Sequence, residues 1–235
     1  MQFRTFAVAL AATFCFTQAA QAAGSHAVAP FASYSAVWNP LPPRPGALND
    51  DEACYASSLF GPTSTQSGIA VITEFMKDPA AVADTRGEWI EIKNNLPWRL
   101  NLEGWTLTDN AGSAHVIDRG GQGLWFFRDQ RLVLGNNGDT TLNGGVAIDY
   151  VWSGFSLTNT SDQIVLLDAN GALVDRVDYT SSAPWPSAPG QALALRQTAE
   201  AADLNDDGAN WCLANVPLHA GTTDTGTPGA VNTCP

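Results

Sequence analysis

Acidic side chains recur at alternate positions in one short stretch of the chain. Asp203, Asn205 and Asp207 are spaced two residues apart, and Gly208 follows at once. Calcium takes about six to eight oxygen ligands, and the first half of an EF-hand loop has this Asp-x-Asn-x-Asp-Gly pattern. The acid expected at the twelfth loop position is replaced by Ala214. Two interpretations therefore stay open for this loop: a calcium site formed by Asp203, Asn205 and Asp207, and an ordinary turn in which Asx side chains cap their own backbone, which explains the pattern fully without a metal.

Three glutamates fall on two neighbouring predicted strands. Glu74 lies in a run rich in Ile and Val, and Glu88 and Glu91 enclose Trp89 and Ile90 in the next run. Paired carboxylates can act as general acid and base, as in glycoside hydrolysis. Alternatively, they bond the backbone or basic side chains at a sheet edge. A secreted hydrolase or hydrolase accessory that uses these glutamates is one function hypothesis.

Other residues suited to catalysis are not grouped. His26, His115 and His219 are far apart, and no Gly-x-Ser-x-Gly, His-Glu-x-x-His, phosphate-loop or Cys-x-x-Cys motif occurs. Nothing in the sequence pairs a nucleophile with a base. We therefore expect a protein that is not an enzyme and that needs no cofactor other than the predicted calcium.

The cysteines predict one disulfide. Cys15 lies in an N-terminal apolar run that we expect to be cleaved as part of an export signal. Three cysteines then remain for pairing: Cys54, Cys212 and Cys234. In an oxidising compartment Cys212 and Cys234 are the favoured pair, and closing a loop of this size stabilises by roughly 3 kcal/mol. Cys54 could then be free, join another chain, or displace either of the other two. A disulfide-linked assembly protein that uses Cys54 is a further hypothesis.

Aromatic side chains are numerous for one β-domain. The set comprises Trp98, Trp125, Phe126, Phe127, Trp152 and Trp185. Such side chains fill cores more often than they stack on sugars or dock a partner, so we expect most to be buried. Trp185 is the exception, because Pro184 and Pro186 flank it and indicate a rigid, exposed loop. Trp185 is therefore our predicted binding residue.

The first 22 residues have the pattern of an export signal. Arg4 precedes an apolar run at residues 6–16, and the Ala-Gln-Ala at residues 20–22 offers small residues to a signal peptidase. The run is shorter than the roughly 20 residues that span a bilayer, and no later segment is long and apolar enough. We expect residues 1–22 to be cleaved and the protein to be secreted or periplasmic, with no membrane span.

The remaining chain divides by composition. Residues 23–67 are rich in Pro and Ser and include the acidic run at 49–52, which predicts an irregular arm, either docked or mobile. From residue 68 to 235 short strand patterns follow one another. They are residues 69–75, 88–93, 105–108, 124–127, 131–134, 147–152, 164–167, 173–179 and 192–196. Gly-rich turns between them, including the Asn170-Gly171 hairpin turn, favour an antiparallel sandwich or barrel.

Several short motifs in this part occur in a fixed order. They are Glu-Trp-Ile-Glu at 88–91, Leu-x-Gly-Trp-x-Leu-x-Asp at 102–109, Leu-x-Asn-x-x-Asp at 157–162, Asp-Arg-Val-Asp-Tyr at 175–179 and Gly-Thr-Pro-Gly-Ala-Val-Asn at 226–232. Together they resemble the lamin tail domain in its secreted bacterial type, over about residues 68–232. The resemblance implies an all-β fold, an immunoglobulin-like antiparallel β-sandwich, and implies no catalytic role for the glutamates.

Charge narrows the choice of partners. The chain has a formal net charge of -12 and a pI of about 4.4, so it repels nucleic acid and attracts cations or basic protein surfaces. The composition, 45% hydrophobic and 14% charged, suits a packed core. Our first hypothesis is an exported, non-catalytic β-sandwich module that binds a protein or a cell-envelope or matrix component.

Overall fold

The alternating and β-branched runs form short β-strands in the computed structural model, which describes residues 67–109 and 111–234. The strands are β1 Ala70–Met76, β2 Trp89–Asn94, β3 Leu100–Asn101, β4 Thr106–Thr108, β5 Ala114–Val116, β6 Trp125–Phe126, β7 Arg131–Gly135, β8 Tyr150–Val151, β9 Ser161–Leu167, β10 Leu173–Thr180, β11 Leu193–Leu195 and β12 Trp211–Leu213. A four-residue helix, α1 Asp84–Gly87, and two 3-10 turns, Gln197–Ala199 and Gly208–Asn210, complete the regular structure.

These strands build two main sheets. One has six strands in the order β12-β11-β1-β2-β7-β8, and the other has four in the order β10-β9-β4-β5. β3 and β6 form a separate two-stranded sheet, which we call the ribbon. All pairings are antiparallel except that of β7 with β8. The predicted fold class, an immunoglobulin-like antiparallel β-sandwich, is confirmed.

The main core contains side chains of both sheets. Its members include Ile72, Phe75, Ile90, Ile92, Leu134 and Leu193 of the six-stranded sheet and Leu107, Ile164, Leu166, Val174, Val177 and Tyr179 of the four-stranded sheet. The Phe75 ring lies 4.9 Å from the Tyr179 ring and 5.2 Å from the Trp211 ring, measured between centroids. Burial of each large apolar side chain stabilises by about 1.5–3 kcal/mol, so this cluster is the main source of stability.

The outer face of the six-stranded sheet is also buried. Strand alternation places Glu74 and Met76 on this face, where Met76, Trp89 and Val133 belong to a second apolar cluster. Residues 214–234, here called the C-terminal segment, contribute Leu218 to that cluster. They are also held by a disulfide between Cys212 and Cys234, with an S–S distance of 2.06 Å, which is the predicted pair.

Some element boundaries differ from the sequence expectation. The strand predicted at 147–152 is limited to β8. Just before β8, the Val133 N–H donates to the Asp149 carboxylate at 2.8 Å rather than to a backbone carbonyl. The hairpin between β9 and β10 forms as predicted, but only Gly171 has a positive φ, at 79°, whereas Asn170 does not. The sequence pattern does not predict β3, β5 or β12.

Candidate functional site

The glutamates considered as a catalytic pair are anchors of the C-terminal segment. Glu74 and Glu91 are cross-strand neighbours on β1 and β2, and both are 0% exposed. Glu74 accepts hydrogen bonds from the Thr227 N–H at 2.9 Å and from the Thr227 hydroxyl at 3.0 Å. Glu91 accepts the Thr73 hydroxyl at 2.6 Å and the Gly229 N–H at 2.8 Å. The closing sequence motif is thus bound by the acids of the first two strand motifs.

Burial changes the proton affinity of these acids. It raises the pKa of Glu74 to about 8, with a further contribution from the neighbouring Glu91. It raises the pKa of Glu91 to about 7, although the Thr73 hydroxyl and the Arg131 guanidinium oppose the rise. Arg131 Nε lies 3.2 Å from Glu91 Oε1, at ion-pair distance but without hydrogen-bond alignment, and its Nη2 pairs with Glu200 at 2.5 Å. This is a structural charge network beneath the C-terminal segment.

Glu88, which directly precedes Trp89 in the chain, is also buried, at 3% exposure. It accepts the Leu157 N–H and an Asn136 amide hydrogen, and burial raises its pKa to about 8. A substrate cannot reach carboxylates with so little exposure. The hydrolase hypothesis therefore loses its proposed site.

The acidic loop at 203–208 has a different geometry from the one its spacing predicts. Asn205 is 0% exposed, and its amide donates to Asp175 Oδ2 at 2.8 Å and to the Ile72 carbonyl at 3.3 Å. Asp175 Oδ2 also accepts the Ile72 N–H at 2.7 Å. Asn205 and Asp175 therefore provide hydrogen-bond partners for the backbone N–H and carbonyl of Ile72, a part of β1 that does not pair with β11. The register of β1 with β2 shifts directly after Ile72, as in a β-bulge.

The three residues of the predicted calcium site do not converge. Asp203 is exposed, Asn205 points into the core, and Asp207 accepts the Ala209 N–H at 2.9 Å to cap a 3-10 turn. Within residues 67–109 and 111–234, no group of three or more His, Cys, Asp or Glu side chains is placed to bind a metal. The calcium site is therefore one of two hypotheses for this loop, and the hydrogen bond of Asp207 with the Ala209 N–H supports the other one, the Asx turn.

The prediction that Trp185 is exposed is wrong. Its side chain is buried at 8% exposure, and its ring lies 5.7 Å from that of Trp211. Gly208 lies directly against the indole, since a Cβ there would come within 2.7 Å of it. The flanking prolines do constrain the loop, with a cis peptide before Pro184, but such a constraint does not specify whether the ring faces solvent or core.

The exposed aromatic surface lies instead on the ribbon. Trp125 and Phe127 are 45% and 56% exposed, whereas Leu124 and Phe126 are buried at 3% and 1%. Alternation along β6 therefore turns one pair of side chains inward and the other outward. Because all four residues are apolar, the composition of this run conceals the alternation, and the expectation that Trp125 and Phe127 are buried is wrong.

A cation and a glycine complete this surface. The Arg99 guanidinium lies 4.5 Å from the Trp125 ring centroid, in cation–π geometry. Gly123 has a φ of 74°, and a Cβ at this position would lie 2.2 Å from the indole nitrogen of Trp125. Only glycine therefore permits the position of the indole. We call Arg99, Trp125 and Phe127 the aromatic platform. The sequence analysis did not single out Arg99, because its contact with Trp125 joins residues that are far apart in the chain.

The platform is fixed to the sandwich through Asn94 of β2. The buried Asn94 amide donates to the Trp98 carbonyl at 2.8 Å and to the Phe126 carbonyl at 3.0 Å. The turn that follows Phe127 borders an open groove of about 460 Å³. The groove is lined by Asp129, Gln130, Arg131, Leu132, Asp149, Gly229, Ala230 and Val231. A rigid aromatic surface beside a groove is suited to contact with a partner molecule.

The remaining predicted residues are not part of this surface. His115 lies at a sheet edge with its Nε2 2.8 Å from the Tyr150 hydroxyl, and His219 is near the Ala220 carbonyl. Cys54, His26, the predicted export signal and most of the predicted arm lie outside the described residues. No helix in the described part of the chain is long and apolar enough to cross a membrane.

An immunoglobulin-like sandwich with an exposed aromatic platform is typical of the class of domains that present a surface to other molecules. Residues 63–181, which are 119 of the 235, match the family model described as Lamin Tail Domain. The chain belongs to the lamin tail domain family, and this membership indicates a non-catalytic interaction module. No curated protein matches the chain.

Proposed function

We propose that the protein is an exported binding module whose protein partner, in the cell envelope or outside the cell, docks on the aromatic platform. The observation that carries the proposal is the exposure of Trp125 and Phe127 on one face, with Arg99 stacked on the indole. Trp and Arg are enriched among the residues that dominate binding energy at protein interfaces. Phe is likewise more frequent in interfaces than on the remaining surface.

Charge indicates the kind of partner. The net charge of -12 steers basic proteins towards the chain. The groove beside the platform has both signs of charge, from Asp129 and Asp149 and from Arg131. A partner with an apolar patch and an overall positive charge would match the platform and the net charge of the chain. The same charge opposes nucleic acid as a ligand.

The experiment uses the double variant Trp125→Ala with Phe127→Ala. Proteins captured from an envelope extract by the parent chain would be identified, purified and titrated against both chains. Loss of one interface hot spot worth about 2 kcal/mol raises the dissociation constant about 30-fold, so the double variant should bind at least about 30-fold more weakly, and several hundred-fold if the two effects add. Leu173→Ala, at an exposed residue of β10 (48%), is the matched control and should bind normally. Equal affinity of the double variant and the control would contradict the proposal.

Export is supported by the pattern of residues 1–22 and is compatible with the disulfide. We place the arm at residues 23–67 and the folded module at 68–235. N-terminal sequencing of the protein from a secreting host should give a chain that begins at residue 23. A chain found only in the cytoplasm with the first 22 residues intact would contradict export.

A further inference from the structure

A buried lysine lies where the two main sheets meet. Lys77 directly follows β1 and is 2% exposed. Its Nζ donates to the backbone carbonyl of Asn159 at 2.5 Å and to Ser187 Oγ at 3.2 Å. The Tyr179 ring centroid lies 6.0 Å from the same nitrogen. The amine is therefore held against Asn159, the residue that precedes the entry into β9.

The side chain of Asn159 is held at the same place by two acids. Its amide nitrogen donates to Asp78 Oδ1 at 3.2 Å and to Asp84 Oδ2 at 3.1 Å. Its Oδ1 is buried and has no hydrogen-bond partner. Both acids also act electrostatically on Lys77, so that the amine, the amide and two carboxylates form one cluster. Burial lowers the pKa of Lys77, against the opposing effect of Asp78 and Asp84, and thereby favours a nucleophilic neutral amine.

We propose that Lys77 and Asn159 join in an intramolecular isopeptide bond, formed by the folded protein itself. The new bond links Lys77 Nζ to Asn159 Cγ, and the bond from Cγ to the side-chain nitrogen of Asn159 breaks to release ammonia. No oxidant, reductant or co-reactant is needed, because the reaction exchanges one amide for another.

The cluster supplies each proton transfer. Asp84 Oδ2 lies 3.1 Å from the Asn159 amide nitrogen, so movement of Nζ to Cγ brings the ammonium close to this carboxylate. Asp84 then takes a proton from the Lys77 ammonium, and the neutral amine attacks Cγ. Asp84 then gives its proton to the departing nitrogen and receives one from the attacking nitrogen, which acquires a positive charge on attack. The released ammonia finally takes the extra proton from Asp84 and leaves as ammonium. The product is an uncharged amide, which suits a buried position better than a charged lysine.

Reach favours Asn159 as the electrophile. Lys77 Nζ already contacts the main-chain carbonyl of that residue, and Cγ lies only a few bonds further along its side chain. The lysine side chain has several rotatable bonds, and the reaction requires their rotation to bring Nζ from the main-chain carbonyl to Cγ. The amide orientation is assigned from hydrogen bonds, and rotation by half a turn would place the unpartnered Oδ1 on a protonated Asp84.

The bond would link the two layers of the sandwich. Lys77 continues β1 of the six-stranded sheet, whereas Asn159 leads into β9 of the four-stranded sheet, and 82 positions separate them. A covalent link across so long a loop restricts the unfolded chain, as a disulfide does, and cannot be reduced by thiols. Such a link would suit a module that works outside the cell.

The test is the intact mass of the purified full chain, after denaturation and reduction. We expect the measured mass to be lower, by one molecule of ammonia, than the mass calculated from the sequence of the purified chain. Tryptic digestion should then give a branched peptide, in which the segment ending at Arg86 is joined through Lys77 to the segment ending at Arg176. This linked peptide distinguishes the isopeptide from other reactions that release ammonia.

Variants separate the cross-link from an ordinary polar cluster. Lys77→Arg keeps the charge, and Asn159→Ala removes the electrophile. Neither variant should lose ammonia, so each should have the full mass calculated from its sequence. Ser187→Ala, which changes only a neighbour of Nζ, is the matched control and should still lose ammonia. Because the reaction needs the fold, circular dichroism would verify that each variant is folded. A folded parent chain with its full sequence mass and no branched peptide would overturn the proposal.

Discussion

Replacing Glu74 by Gln should change how the stability of the protein depends on pH. Glu74 is 0% exposed, and burial together with Glu91 raises its pKa from 4.5 to about 8. Between these two values the folded chain binds a proton that the unfolded chain has released. Unfolding therefore releases a proton, and the free energy of unfolding falls as pH rises from about 4.5 to about 8.

The structure sets the size of this effect. At about 1.36 kcal/mol per pKa unit, the rise from 4.5 to about 8 corresponds to about 5 kcal/mol over the whole window. Most of this, roughly 3–4 kcal/mol, falls between about pH 5 and about pH 8, from the same linkage relation. Gln has no proton to lose, and it can still accept the Thr227 N–H while its amide donates to the Thr227 hydroxyl oxygen. The variant should therefore lose this part of the pH dependence and be more stable than the parent chain at about pH 8.

The assay is urea unfolding at a series of pH values, followed by tryptophan fluorescence with the disulfide intact. Asp203→Asn alters an exposed carboxylate and is the control, which should follow the parent curve. Glu88, Glu91 and Asp175 have pKa values raised in the same direction, so Glu74→Gln should flatten the curve only in part. A parent chain that is more stable at about pH 8 than at about pH 5, or a variant with the parent's slope, would refute the reasoning.

Three other changes test separate parts of the structure. Trp185→Ala removes a buried ring packed against Trp211, so the free energy of unfolding measured in urea should fall by about 3–5 kcal/mol, whereas the affinity for the partner should not change. An unchanged free energy of unfolding would contradict the burial of this ring. Replacing Cys212 and Cys234 together by Ser should cost roughly 3 kcal/mol in the same assay, and an unchanged midpoint would show that the disulfide constrains little. Excess calcium should leave the melting temperature unchanged because Asn205 is turned into the core; a rise that a chelator and Asp203→Ala both abolish would establish the calcium site.

Much of the fold could be predicted from local patterns. The alternation of Ile90 and Ile92 with Trp89 and Glu91 defines β2, and the Asn170-Gly171 turn defines the hairpin of β9 and β10. These signals are local because strand periodicity and turn residues act over a few positions. The order of the motifs identifies the family for the same reason, since each motif contains the residues of one strand or turn.

The surface was harder to predict because burial depends on distant neighbours. The sequence expectation for Trp185 and for the Trp125–Phe127 pair was reversed: the first is buried against Trp211, and the second pair is exposed on the ribbon. The flanking prolines of Trp185 restrict its backbone but do not determine which way its ring faces. Within the apolar run of β6, an inward and an outward residue look alike.

The sequence by itself determined the positions of the main strands, because these follow from periodicity along the chain. The ordered motifs indicated the family and, through that resemblance, the sandwich, which periodicity alone does not distinguish from a barrel. Only the tertiary structure decided what the acidic residues do. Glu74 and Glu91 bind the C-terminal segment, and Asn205 completes the backbone bonding of β1. The residue type in the sequence is the same whether its carboxylate or amide binds an ion, a substrate or a backbone N–H. Its role depends on which groups the fold brings to it and on how completely the fold excludes water.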